Sequence, residues 1–109
     1  MKDMGIVPTK VILSQSDKYR MLAEEEVKKV LKAPSTATFL YNGCSDPFED
    51  GKSLLVDGYV DSENSFGAKI RDKYQVMFEK NYNSWEATLI HIGNTYYNPK
   101  TGFSIDYPN

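Results

Sequence analysis

Cysteine, histidine and tryptophan each occur once in this chain, and no stretch is both long and uniformly apolar. A single cysteine, Cys44, cannot close an internal disulfide, so the fold must hold without covalent staples. That suits a reducing compartment, and equally a bacterial secreted protein that never used disulfides. One histidine, His91, and one cysteine are too few for a structural zinc site. No glycine-rich phosphate loop or nucleophile elbow is present, and no cofactor is expected. No segment reaches the length of a membrane span. Pro8 and Lys10 interrupt the apolar residues of the first thirteen positions, so no signal-peptide core forms there. As written, the chain is expected in the cytoplasm, or outside the cell or anchored to a membrane if a leader was removed. Charge of one sign is also lacking. With 13 Lys+Arg against 15 Asp+Glu the formal net charge is −2, without the basic excess that direct nucleic-acid binding needs.

What is present is an ordinary globular balance, 40% hydrophobic and 26% charged residues over 109 positions. One domain of this length buries roughly two thirds of its unfolded surface. Tyr19, Leu22, Ala23, Val27, Val30 and Leu31 recur at steps of three and four, which predicts an amphipathic helix over 14–33 after an arm at 1–13. Ser14 or Ser16 can cap it, Glu24 and Glu25 face Lys28 and Lys29, and Pro34 ends it. The period then falls to two. Strands are expected at 36–41, 54–61, 68–79 and 85–92, followed by a hairpin about Asn98-Pro99-Lys100-Thr101-Gly102 that ends at Tyr107. Short connections make the strands antiparallel. The expected fold is α+β: one amino-terminal helix on a four- to five-stranded antiparallel meander over 36–107, a single domain.

Two segments stand out, Leu31 to Phe39 (LKAPSTATF) and Gly58 to Arg71 (GYVDSENSFGAKIR). In this order they resemble a motif pair of small bacterial and phage domains. Many of those domains sit at the carboxyl end of Gram-positive lipoproteins and membrane-anchored proteins, and others stand alone. The resemblance implies a helix-plus-meander fold with mostly unassigned function, and it brings no catalytic residues. Physically, Ser35 and Thr36 can satisfy backbone groups freed at the helix end. Asn64, Ser65 and Gly67 supply turn geometry, and Phe66 can cover the end of the core.

Catalytic chemistry finds little support. Asp46, Glu49, Asp50 and Asp57 line a loop and the strand after it, but Phe48 stands at a calcium-ligand position, and a solvated acidic loop is the expectation. Cys44 with His91 is the one thiol–imidazole pair, with no spacing that promises a triad. Lys69, Arg71 and Lys73 share a strand face at intervals of roughly 7 Å, with Tyr59 beside them, and could meet an acidic partner or a nucleic-acid backbone. A solvated outer sheet face is the plainer expectation at this balanced charge. Aromatic residues make up 13% of the chain. Tyr82, Trp85, Tyr96, Tyr97, Phe103 and Tyr107 crowd its last third, more than a small core can hide. The expected function is a non-catalytic protein-binding module acting through a sheet face or the carboxyl-terminal aromatic hairpin. Tyr59, Lys69, Arg71, Lys73, Trp85, Tyr96, Tyr97 and Phe103 are its candidate contacts, and a homodimer through a sheet edge is one version of it. The alternative is a phage or mobile-element inhibitor of a host nuclease, of the anti-CRISPR type, binding a nucleic-acid-handling host protein through its carboxylates.

Overall fold

The structure, a computed structural model, describes residues 15–106. The expected arm at 1–13, the Ser14 cap and Tyr107 lie outside the described residues. Helix α1 spans Gln15–Lys28 and is followed by strands β1 (Ala33–Ser45), β2 (Ser53–Glu63), β3 (Lys69–Asn81), β4 (Ser84–Ile92), β5 (Thr95–Tyr97) and β6 (Ser104–Asp106). The strands form one antiparallel sheet in sequence order, β1 to β6. The α+β meander holds, with six strands rather than four or five, because the last hairpin adds two three-residue strands.

Helix α1 starts with Asp17 in its first turn and ends with Lys28 in its last, each at the dipole end that favours its charge. It stops five residues short of the expected Ala33. Lys29 and Val30 donate to the carbonyls of Glu26 and Val27, a tightened last turn. Val30 and Leu31 still pack on the core, but from the connection into β1 rather than from the helix. Ser16 falls inside the helix. The surface pairs also shift by one residue: Lys28 meets Glu25 at 3.4 Å, Lys29 meets Glu26 at 2.9 Å, and Glu24 takes Arg20 at 2.9 Å. Leu22, expected on the buried stripe, is exposed.

The core lies between α1 and one sheet face. Ala23 and Val27 of the helix meet Val56, Val60, Tyr74, Val76, Phe78, Ala87, Ile90 and Ile92. The inward alternation predicted for β3 therefore begins at Tyr74. Ile70 and Ala68 are exposed, because β4 reaches only as far as Tyr74 and leaves the first third of β3 without a neighbour on that side. Asp72 sits in that open stretch, at the margin where a carboxylate can stay hydrated. Gly58 of β2 is required by its neighbours. A Cβ there would collide with the Leu40 carbonyl and come within 2.9 Å of the Tyr74 hydroxyl.

The two motif segments fold against each other. Thr36 donates from Oγ1 to the Ala33 carbonyl (2.6 Å) and accepts from the Glu63 N–H (2.9 Å). Asn64 Oδ1 accepts from the amides of Phe66 and Ala68 and so holds the β2–β3 turn, with Gly67 at φ 81°. Phe66 does not cover the core. It stands 92% exposed at the tip of that turn.

Candidate functional site

Alternate residues of a strand point to opposite faces. With α1 on one face of the sheet, the other carries no helix among the described residues. Cross-strand pairing arranges that second face in rows. Leu55, Met77 and Leu89 are direct partners across β2, β3 and β4 and form an apolar row toward one end, beyond which Ser53, Glu79 and Glu86 are partners. The next row runs Asp57, Gln75, His91, Tyr96, Ile105 from β2 to β6. Beyond it Leu40, Tyr59 and Lys73 are partners, and the far end pairs Asp61 with Arg71 and Glu63 with Lys69.

The middle row is fixed by polar and ring contacts. Asn42 donates to Asp57 Oδ2 at 3.0 Å, and His91 Nδ1 lies 3.3 Å from Gln75 Oε1. The His91 ring stacks flat on Tyr96, centroids 4.0 Å apart with planes at 4°. At the charged end Arg71 gives Asp61 two parallel hydrogen bonds of 2.7 and 2.9 Å, the bidentate geometry of a guanidinium on a carboxylate. Those hydrogen bonds, with the guanidinium charge, hold the Asp61 carboxyl below its ordinary value. Of the row of three cations, Arg71 is thus answered by an ion pair from β2, while Lys69 faces Glu63 and Lys73 faces Tyr59.

Five of the eight expected contacts share this face: Tyr59, Lys69, Arg71, Lys73 and Tyr96. Trp85 and Tyr97 are turned the other way. Trp85 meets Tyr19 of α1 edge-on at 5.7 Å, and both pack against the core. Phe103 lies in the last turn, exposed and away from the rows. The aromatics that reach solvent most fully sit at turns along the chain, at Phe48, Phe66, Tyr82 and Phe103, rather than together in the carboxyl-terminal hairpin.

Leu40, Leu55, Met77, Leu89 and Ile105 were not among the expected contacts. A signal for three of them stands in the sequence. Leu54-Leu55-Val56, Val76-Met77-Phe78 and Leu89-Ile90 are consecutive apolar residues, and such runs break alternation because both faces of the strand are apolar.

Cys44 and His91 cannot act together. Cys44 packs toward the core, whereas His91 stands on the helix-free face with β2 and β3 between them. Burial, with the Asp57 charge, pushes the Cys44 thiol up, away from a reactive thiolate. In the acidic loop, Asp46 Oδ2 accepts from the Gly51 amide and Asp50 Oδ1 from the Lys52 amide. Among the described residues no three His, Cys, Asp or Glu side chains are grouped to hold a metal ion. A cleft of about 170 Å³ opens at the far end of the sheet, on the helix side, where Leu31 and Lys32 meet Ser62, Glu63, Asn64 and Asp72. Both motif segments contribute to its walls. No helix of the described residues is long and apolar enough to cross a membrane. Comparison with known protein families, curated proteins and solved structures gives no match to this chain.

Proposed function

We propose that this protein is a non-catalytic binding module that docks another protein on the helix-free face of its sheet. One observation carries this reading: the Leu55–Met77–Leu89 row lies across three adjacent strands on a face that no helix among the described residues covers. Within that row Leu89 is exposed and Leu55 and Met77 are half-buried, and Leu40, Tyr59 and Ile105 are exposed in the rows beyond it. Contiguous exposed apolar surface rimmed by polar groups marks an interaction site more often than scattered apolar residues do. The Asp61–Arg71 and Glu63–Lys69 pairs give that surface a charged rim, which favours register and specificity over raw affinity. The partner surface that fits is apolar opposite Leu89 and polar opposite Arg71. The sheet face is preferred to the carboxyl-terminal hairpin because Tyr97 of that hairpin packs toward the core, while its Tyr96 and Ile105 already belong to the face.

The test is affinity capture from the native host with the immobilised full chain, quantified by mass spectrometry. Leu89→Asp or Met77→Asp is expected to abolish recovery of the captured protein, since a carboxylate would be desolvated in the contact. Phe66→Ala, at an exposed turn off this face, should leave recovery unchanged. A partner retained by Leu89→Asp, or no partner at all, overturns the reading.

A further inference from the structure

The sheet ends in two unlike edges. β6 has three residues and β1 has thirteen. An edge strand presents unpaired backbone N–H and C=O groups on its outer side, and long edges are usually blunted by charges, proline or bulges. No charged side chain occurs anywhere in β1, from Ala33 to Ser45. Pro34 lies at one end, and register breaks fall between Ala33 and Thr38 and between Tyr41 and Gly43. The run Thr38-Phe39-Leu40-Tyr41 between them keeps regular register with β2, and among the described residues no strand lies on its other side.

We infer that this edge pairs with the same edge of a second copy of the chain, antiparallel about a two-fold axis. The edge calls for an uncharged strand of similar length with matching alternation, and β1 itself meets that description. A two-fold perpendicular to the sheet reverses strand direction and keeps both helices on one side. Opposed residues of an antiparallel ladder point to the same face, so the axis passes at a residue and not between two. With Phe39 on the axis, Thr38 of each copy faces Leu40 of the other, and Ala37 faces Tyr41. No position along the ladder opposes like charges. The contact closes on itself and leaves, among the described residues, the short β6 edges and the unpaired start of β3, which carries Lys69, Arg71 and Lys73, so it yields a dimer and not a fibre.

Light scattering on the size-separated full chain tests this. The wild type is expected at twice the monomer mass. Thr38→Lys and Thr38→Glu should each run as monomers with unchanged circular dichroism, because the two copies of residue 38 are diagonal neighbours on one face. Mixing the two variants should restore the dimer. A wild-type monomer, or a dimer that survives Thr38→Lys, overturns the proposal. Should the variants fold poorly, amide exchange on the wild type decides it: β1 amides must gain protection as protein concentration rises, and constant protection refutes the pairing. Leu89→Asp is expected to keep the dimer, so failure of this proposal and failure of the face-docking reading are separable.

Discussion

Tyr74 shows how one side chain can be indispensable for its ring and costly for its hydroxyl. It is 0% exposed, its ring lies edge-on to Phe39 at 5.8 Å, and it passes over Gly58. Its Oη has no hydrogen-bond partner among the described residues, and a buried hydroxyl left unpaired costs about 1–3 kcal/mol. Tyr74→Phe keeps the ring contacts and removes that cost, so urea unfolding at neutral pH should show stability unchanged or raised by about 1 kcal/mol. Burial, helped by the nearby Glu24 carboxylate, pushes the hydroxyl from 10.0 up to about 12. Below pH 10 it is neutral in both folded and unfolded chains and has no effect on the pH dependence. Between pH 10 and about 12 the unfolded chain loses the proton first, so stability falls across that window, by about 2–3 kcal/mol for a shift of this size. The difference between wild type and Tyr74→Phe, followed by thermal melts from pH 9 to 12, should grow over that interval. A constant difference would place the hydroxyl in water.

At the scale of elements, the β3–β4 hairpin carries avoidable strain. Asn81 pairs with Ser84, leaving Tyr82 and Asn83 as a two-residue loop, and Tyr82 takes φ 58° with its ring 91% exposed. A positive φ at the first loop residue matches the strand twist but suits glycine far better than tyrosine. Tyr82→Gly should therefore raise stability by about 0.5–1 kcal/mol, since the left-handed penalty exceeds the extra backbone entropy that glycine loses. A thermal melt that falls instead would mean the exposed ring contributes more than its backbone costs. The neighbouring turns were easier to read. Gly102 (φ 76°) and the Asn98 side chain, accepting from the Lys100 and Thr101 amides, close the last hairpin as Asn-Pro-Lys-Thr-Gly predicts. Strand alternation was legible wherever one face is buried, as in Val56 to Val60 and Tyr74 to Phe78. It failed at Ile70, where a missing neighbour strand cannot be inferred from local spacing. It failed also at Val30 and Leu31, whose helical period is kept by a connection folding back on the core. Of the candidate face, the charged and tyrosine positions on β2 and β3 could be read from alternation. The apolar row could not be placed without the cross-strand register that lines up Leu55, Met77 and Leu89.

For the molecule as a whole, the governing asymmetry is that among the described residues one helix serves a six-stranded sheet, so the two faces do not contribute equally to stability. Adjacent residues of β4 expose this directly. Ile90 is 1% exposed beneath α1, whereas Leu89 is 37% exposed on the opposite face, although the two are similar in size and share one backbone. Truncating Ile90 removes buried methyl groups and leaves a cavity among Val27, Val76 and their neighbours, a loss of about 3–4 kcal/mol. Leu89→Ala removes surface that is already partly hydrated and should cost less than about 1 kcal/mol. Equilibrium urea unfolding of the two variants, at a concentration where wild type and variants have the same mass, measures the gap. If Leu89→Ala proves as costly as Ile90→Ala, that face is itself a core, covered by part of the chain or by a second copy, and no longer free to receive another protein. If the gap is found, Leu89 adds little to holding the isolated chain together, and selective loss of a partner in Leu89→Asp then reports on docking rather than on folding.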